Sequence, residues 1–260
     1  MEFVVDLDQA LCLAEPCRAL ILYGSVARGE QEPGSDIDLL AIVEQRRPNI
    51  RCGDIQLACY TVSQLQHLAR NGSLFILHLL SDGVPLRDQQ DLLNRIRREY
   101  CQPVGYDELY RELHGVIAIT NVASSAYDEG RSGLHRALVF AARTYIYGEA
   151  ALTEPCFSVR RLAERGCAIA SAVRAVKSGE GGFEEYRMLL ELTAEALRTP
   201  LGIPYTDLGL LVREADLTSG LVARLLKSIA PGDNNFPYDW LNDESKVSIR
   251  RRHSRRRDAT

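Results

Sequence analysis

The pattern of hydrophobic and polar positions divides the chain into two parts with different predicted structure. In the first hundred residues, short apolar runs with the length of β-strands lie between segments with helical spacing. The predicted strands are residues 18–23, 37–43, 54–61 and 84–87. The predicted helices are residues 63–70, 73–81 and 88–100, with Ser63 as the expected N-cap of the first. Residues 24–35 hold three glycines and a proline, so we expect a turn-rich connection there.

Beyond Gly105 the strand signals nearly disappear, and apolar residues recur at helical spacing. The predicted helices of this part are residues 106–129, 132–150, 158–177, 182–198 and 206–229. The fold class is therefore predicted as α+β. We expect a small mixed-sheet domain with helices over residues 1–103, an all-α helical bundle over 104–232, and a polar, arginine-rich C-terminal tail over 233–260.

Composition narrows the class of protein. The chain has 260 residues, of which 46% are apolar and 25% charged, as in ordinary globular proteins. Its first residues, Met1-Glu2-Phe3-Val4-Val5-Asp6, lack the basic and apolar pattern of a signal peptide, so we do not expect one. No run approaches the about 20 apolar residues that span a bilayer. Its seven cysteines are scattered without a Cys-x-x-Cys pair, which argues against a zinc or redox motif. We expect a cytoplasmic protein with no membrane segment.

Charge is distributed unevenly. The net charge is −4, but six arginines and one aspartate give residues 250–260 a charge of +5, which leaves −9 for the rest. An acidic body with a basic tail differs from a uniformly basic nucleic-acid-binding domain. The tail can neutralise phosphates, or it can be a solvated end.

A glycine-rich turn after the first predicted strand carries candidate phosphate-binding groups. The turn reads Gly24-Ser25-Val26-Ala27-Arg28-Gly29. Gly24 allows the backbone to approach a ligand closely because it has no Cβ. The Ser25 hydroxyl and the neighbouring N–H groups can donate to phosphate oxygens, and the Arg28 guanidinium can offer a planar pair of donors.

Two carboxylates begin the next predicted strand, in the segment Gly34-Ser35-Asp36-Ile37-Asp38-Leu39. Asp36 and Asp38 are two residues apart on a strand, so they point to the same face, whereas Ile37 and Leu39 point into the core. Adjacent carboxylates repel each other unless a cation lies between them. Mg²⁺ suits this arrangement, since it takes its remaining ligands from substrate phosphates and water.

The Gly-Ser turn followed by Asp-x-Asp on the next strand resembles the nucleotidyltransferase superfamily that includes DNA polymerase β. The form here is similar to its small bacterial branch of minimal nucleotidyltransferases, some paired with HEPN proteins, and aminoglycoside nucleotidyltransferases. The resemblance covers about residues 15–100. It implies Mg²⁺-dependent binding of a nucleoside triphosphate, with Gly24, Ser25, Arg28 and Ser35 at the nucleotide. It implies catalytic, metal-binding roles for Asp36 and Asp38.

The family places a third carboxylate on a neighbouring strand, and this sequence offers two positions for it. Asp54 and Gln56 lie on one face of the strand over residues 54–61. We assign Asp54 to the catalytic and metal-binding set. The alternative alignment puts the position on Gln56, which leaves the general base unassigned.

Other polar residues add weaker candidates. Arg51, Arg87 and Arg95 are candidates for reaching a triphosphate, whereas His78 lies in an apolar run and is expected to be a hydrogen-bonded core residue. HEPN ribonucleases carry an arginine followed four to six residues later by a histidine. Arg131 and His135 have three residues between them, so a HEPN-like helical domain here is not expected to be a ribonuclease.

The resemblance implies an enzyme that transfers a nucleoside monophosphate to an acceptor hydroxyl and releases pyrophosphate. We favour a protein or nucleic-acid acceptor, because the helical part is large, the tail is basic, and Phe236, Tyr238 and Trp240 precede it. A role in bacterial antiviral defence or in a toxin–antitoxin pair is expected from this branch. The alternatives are a catalytically impaired, antitoxin-like binding protein and an aminoglycoside-type enzyme. The acceptor, the base of the triphosphate and the oligomeric state remain open.

Overall fold

The helices and strands are those of a computed structural model, which describes residues 7–32, 35–177, 182–209, 211 and 222. The described residues divide into two compact units, one ending at Val104 and the other beginning at Gly105. A mixed sheet with helices forms the first unit and helices form the second, which confirms the predicted α+β class. The arginine-rich tail and most of the predicted helix over 206–229 lie outside the described residues.

The first unit is built on a five-stranded sheet in the order β3-β4-β2-β1-β5. The strands are β1 Ala19–Tyr23, β2 Ile37–Val43, β3 Ile50–Cys52, β4 Ile55–Thr61 and β5 Val84–Arg87. β2 and β4 are parallel, and the other neighbouring pairs are antiparallel. The sequence did not predict β3, since three residues are too few for an alternating pattern. Pairing with β4 across the turn at Gly53, where φ is +56°, forms this strand.

Helices cover both faces of this sheet. They are α1 Leu7–Ala14, α2 Gly24–Ala27, α3 Val62–Arg70, α4 Leu74–Asp82 and α5 Leu92–Glu99. Leu40 and Ile42 of β2 pack in a buried cluster with α3, α4 and α5. Leu39 and Ala41 pack on the opposite face in a cluster that includes α1. The alternation of β2 side chains therefore contributes to two cores, as expected of a strand buried on both faces.

The start of α3 differs from the predicted cap. Thr61, and not Ser63, is the N-cap: its side chain accepts a hydrogen bond from the backbone N–H of Gln64. The Gln64 side chain accepts in return from the Thr61 N–H at 3.0 Å, which completes a capping box. The prediction was wrong because β4 runs directly into the helix, so the last strand residue occupies the cap position.

The second unit consists of helices α6 Asp107–Thr120, α7 Ser124–Thr153, α8 Val159–Glu164, α9 Ala168–Lys177 and α10 Phe183–Leu197. The predicted helix over 106–129 is interrupted after Thr120, where Val122 forms a bridge with Tyr205. α7 continues through the predicted break at residues 130–131, and Gly130 is buried within the helix. Within the described part of the chain, no helix has the length and hydropathy needed to cross a membrane.

Loss of the Thr61 cap is expected to destabilise the first unit. Thr61→Ala leaves a backbone N–H of α3 without its acceptor and should lower the free energy of unfolding by about 1 kcal/mol. Ser63→Ala is the matched control: it removes an exposed hydroxyl 3.0 Å from that of Thr61 and leaves the bond between Thr61 and the Gln64 N–H in place, so it should change the free energy of unfolding by less than about 0.5 kcal/mol. Urea denaturation of the two variants measures the difference. Equal destabilisation by both would contradict the assignment of the cap to Thr61.

Candidate active site

The backbone turn at the end of β1 makes a close approach to a carboxylate of β2. Gly24 follows β1 with φ of +80°, a conformation that favours glycine. A Cβ placed on Gly24 would lie 2.5 Å from Oδ2 of Asp38. Both the backbone angle and the available space therefore require glycine here. Ser25 comes next, at the start of the short helix α2, and is half-buried.

The two aspartates of the motif lie where β2 begins. Asp38 is the second residue of β2 and Asp36 directly precedes the strand, and both are half-buried. Ile37 and Leu39 point the other way and are 8% and 0% exposed. This arrangement confirms the predicted alternation, with polar groups on one face and packing on the other.

A row of residues crosses the sheet at the level of Asp38. In the strand register, Arg51 of β3 pairs with Gln56 of β4, Gln56 pairs with Asp38 of β2, and Asp38 pairs with Tyr23 of β1. Residues paired in this way project to the same side of the sheet. The row thus brings a guanidinium, an amide and a carboxylate together beside the Gly24 turn.

Asp36 is held by two members of this row. The Gln56 amide donates from Nε2 to Oδ2 of Asp36 at 2.6 Å. Nη2 of Arg51 lies 3.6 Å from the other carboxylate oxygen, in an ion pair whose two side chains are 59% and 41% exposed. Of the three arginines considered from sequence, the structure places Arg51 at the carboxylates. Arg87 lies at the other end of β1, ion-paired with Glu15.

Asp54 lies in a different environment from Asp36 and Asp38. It is exposed in the turn between β3 and β4, and its backbone carbonyl accepts from the N–H of Ile37 at 2.8 Å. Among the residues that the structure describes, no three carboxylate, imidazole or thiol side chains are grouped so that they could hold a metal ion. The structure therefore brings Asp36 and Asp38 together and does not add Asp54 to them.

Arg28 is engaged with protein groups. Its Nε donates to Glu30 at 2.8 Å, and Nη1 donates to Asp82 and lies 3.4 Å from Nε2 of His78. The Arg28 side chain is 13% exposed, and those of Glu30 and Asp82 are each 11% exposed. Burial raises the pKa of Asp82, but the hydrogen bond and charge of His78, together with the charge of Arg28, outweigh it and leave the pKa below its usual value. The nucleotide contact that the sequence predicts for Arg28 would require its guanidinium to leave Glu30 and Asp82.

His78 has the role that the sequence predicts. Its Nε2 lies 3.0 Å from Oδ2 of Asp82 one helical turn away, and the side chain is 16% exposed. The imidazole also packs edge-on against the Tyr23 ring, with centroids 5.8 Å apart. It is a hydrogen-bonded residue at the edge of the core beside α2.

Ser35 shapes the connection that leads into the carboxylates. Its hydroxyl accepts from the backbone N–H of Glu32 at 2.8 Å, and its own N–H donates to the Glu32 carbonyl at 2.9 Å. Gly34, the neighbouring glycine of the motif, lies outside the described residues. The Ser35 hydroxyl therefore holds a local turn directly before Asp36.

The arginine and histidine pair of the helical unit meets at a tyrosine. The Tyr127 hydroxyl lies 2.7 Å from Nε2 of His135, and the Arg131 guanidinium lies 5.9 Å from the Tyr127 ring centroid. Burial, and then the charge of Arg131, lower the pKa of His135. The imidazole stacks on Tyr186 at an interplanar angle of 10°. His135 is thus half-buried against the aromatic side chains of Tyr127 and Tyr186.

Comparison with known families agrees with the geometry of the first unit. Residues 9–98 match the family model described as Nucleotidyltransferase domain. No curated protein matches the chain. The first unit therefore carries a nucleotidyltransferase domain, and the chain is a transferase enzyme that uses a nucleoside triphosphate. The match ends before α6 begins at Asp107, so it covers the sheet unit and not the helical unit.

The residues at the turn and strand are of the type that can hold a complex of a divalent metal ion with a nucleotide. Mg²⁺ binds through one or two protein carboxylates and completes its octahedral shell with phosphate oxygens and water. Asp36 and Asp38 provide such a pair. Because Gly24 has no Cβ, the Asp38 carboxylate lies directly against the backbone of the turn. The sequence named Gln56 as the alternative to Asp54 and Arg51 as a candidate for reaching a triphosphate, but it did not show that both side chains contact Asp36.

The close approach at Gly24 predicts that a methyl group there removes triphosphate binding. Gly24→Ala adds backbone strain at positive φ and displaces the Asp38 carboxylate, so we expect affinity to fall at least about tenfold. Gly29→Ala is the matched control: its φ is +67°, and nothing lies within 4 Å of the added Cβ. It should show the strain without the loss of binding. Calorimetric titration with ATP and Mg²⁺ measures both, and equal loss in the two variants would assign the effect to strain alone.

Proposed function

We propose that the chain is a Mg²⁺-dependent nucleotidyltransferase that moves a nucleoside monophosphate from a triphosphate to an acceptor hydroxyl. The observation that carries the proposal is the Asp38 carboxylate lying against a turn that requires glycine at position 24, with Asp36 two residues before Asp38 along the chain. The nucleotidyltransferase match over residues 9–98 supports the same reaction.

In this reaction the acceptor oxygen attacks the α-phosphorus of the triphosphate. The bond from that phosphorus to the α–β bridging oxygen breaks, and pyrophosphate leaves with the bridging oxygen. The acceptor hydroxyl loses its proton to solvent or to a base, and the nucleoside monophosphate remains esterified to the acceptor. Bound Mg²⁺ supplies charge neutralisation at the phosphates and lowers the pKa of the hydroxyl.

The residues of the chain bind and orient the substrate. Asp36 and Asp38 hold the magnesium–triphosphate complex at the start of β2. The Gly24 and Ser25 backbone, with the Ser25 hydroxyl, donates hydrogen bonds to phosphate oxygens, and fixed donors of this kind reduce the reorganisation needed during reaction. Ser35 orders the connection before Asp36 through its bond from Glu32. Arg51, exposed beside Asp36, is the guanidinium placed to approach the phosphates.

Arg28 and Asp54 have less direct support for the roles that the sequence assigns. Arg28 retains a nucleotide-binding role only if it leaves Glu30 and Asp82 when the triphosphate binds. Asp54 requires movement of the turn between β3 and β4 to act as a third metal ligand. Both assignments stay predictions, and the proposal does not depend on either.

The acceptor is proposed to be a protein or a nucleic acid. The helical unit is a second folded unit of the chain. Several members of the superfamily that the sequence resembles use a fused helical domain to hold their acceptor. We also propose that this helical unit is a HEPN-like domain. A cytoplasmic setting is supported by seven cysteines that are all free, each within the described residues. A role in bacterial defence or in a toxin–antitoxin pair rests on the resemblance to the small bacterial branch.

Removal of one charge at the site is expected to abolish transfer. Asp38→Asn keeps the shape of the side chain and removes its negative charge, so the transfer rate should fall by about 10²-fold or more. Glu44→Gln is the matched control at the opposite end of β2, where the Glu44 side chain is 75% exposed. It should retain the wild-type rate. A rate for Asp38→Asn within a factor of about two of wild type would contradict the proposed site.

Labelling identifies the acceptor. Each α-³²P-labelled nucleoside triphosphate is incubated with Mg²⁺ and the protein alone, with total RNA, with cell lysate, or with an aminoglycoside panel. We expect label on a protein or nucleic acid, and its loss in Asp38→Asn. Label confined to an aminoglycoside would reject the macromolecular acceptor and keep the transferase. Absence of transfer in every arm, with triphosphate still bound, would favour the impaired binding protein.

A further inference from the structure

The residue at the centre of the cross-strand row is neutral in a place where a carboxylate would complete a metal site. We propose that Gln56 occupies the third-carboxylate position and restricts the site to one divalent ion, held with the triphosphate by Asp36 and Asp38. The inference rests on the proposed function, because it concerns the metal complex of the same site. It adds how many ions the site holds and which residue sets that number.

Strand register places Gln56 at this position. β4 is the parallel neighbour of β2, and the two strands pair without interruption from Ile37 with Ile55 to Val43 with Thr61. Within this ladder Gln56 is the partner of Asp38. Because the ladder is regular over seven pairs, a shift of one residue would turn the β4 side chains to the other face. Gln56 is therefore fixed beside Asp38 by the core packing of both strands.

The hydrogen bond of Gln56 shows which end of its amide faces the site. Only the NH₂ end can donate, and its partner is Oδ2 of Asp36 at 2.6 Å. The NH₂ group of Gln56 stabilises the Asp36 carboxylate without carrying a net charge. Its partial positive charge disfavours a cation at the same point. The interaction orients Asp36 and occupies the space that a further metal ligand would fill.

The charges around the row favour a single ion. Asp36 and Asp38 provide two negative charges, and the Arg51 guanidinium lies 3.6 Å from Asp36. A second divalent cation would add two positive charges beside this guanidinium with no third carboxylate to balance them. One ion bound by one or two carboxylates and the triphosphate oxygens needs no further protein charge.

Asp54 does not replace the missing carboxylate. It is exposed in the turn before β4, two residues before Gln56 along the chain. Within the described residues, no set of three acidic, histidine or cysteine side chains is grouped to hold a metal. The neutral amide at residue 56 therefore decides the number of ions.

The test is a titration of Mn²⁺ followed by electron paramagnetic resonance, with the full chain and a non-hydrolysable triphosphate analogue. Free Mn²⁺ gives a strong signal that bound Mn²⁺ does not, so the number of ions bound per chain follows once the Mn²⁺ bound by the analogue alone, titrated without protein, is accounted for. The wild-type protein is expected to bind one ion. Gln56→Glu supplies the carboxylate without changing side-chain length and is expected to bind two. Gln56→Met, similar in length and uncharged, is the matched control and is expected to bind one.

Stability gives a second readout if Gln56→Glu folds poorly. Three carboxylates without metal repel one another, so this variant should have a lower melting temperature than wild type in chelator. Mn²⁺ with the analogue should raise its melting temperature more than that of wild type or Gln56→Met. An equal rise in all three would overturn the inference.

The outcomes separate this inference from the proposed function. Two ions in the wild-type protein, or one in Gln56→Glu, would overturn the inference and leave the metal-dependent transferase standing. Two ions in wild type that fall to one in Asp54→Asn would assign the third carboxylate to Asp54. No ion in the wild-type protein with the analogue present would overturn the proposed site itself, and the inference with it.

Discussion

The close approach of the Gly24 backbone to the Asp38 carboxylate is the constraint on which the site depends. It requires β1 and β2 to pair so that Tyr23 lies opposite Asp38, and it requires a residue without Cβ directly after Tyr23. The register is held by apolar residues on both faces of β2, since Leu40 and Leu39 are each fully buried in a different cluster. Core packing thus positions the aspartates, because apolar and acidic side chains alternate at the start of β2.

Neutral and positive partners allow the two aspartates to lie together. The Gln56 amide and the Arg51 guanidinium both contact Asp36, while Arg28 is held by other carboxylates. The protein therefore separates two uses of arginine: the Arg28 guanidinium joins the end of the Gly24 turn to Asp82 of α4, and the Arg51 guanidinium lies exposed at the carboxylates. A buried ion-pair network of the first kind restrains geometry, whereas an exposed guanidinium remains accessible to a substrate.

Local pattern predicted much of this fold and site. The strands at residues 18–23 and 37–43 and the alternation of Asp36 and Asp38 with Ile37 and Leu39 all follow from sequence. Features that depend on residues distant in sequence were missed. β3 exists only through its pairing with β4, and the engagement of Arg28 depends on Asp82, more than fifty residues away. The sequence offered both Asp54 and Gln56, and only the strand register showed that Gln56 is the residue paired with Asp38.

The central claim is that the β2 carboxylates bind a triphosphate through a divalent ion. Calorimetric titration of the wild-type chain with ATP, GTP, CTP and UTP, in Mg²⁺ and again in chelator, tests it most directly. The account predicts binding of at least one triphosphate in Mg²⁺, with the heat lost in chelator, because the phosphates would then meet Asp36 and Asp38 without a cation between them. Equal affinity with and without Mg²⁺ would contradict it.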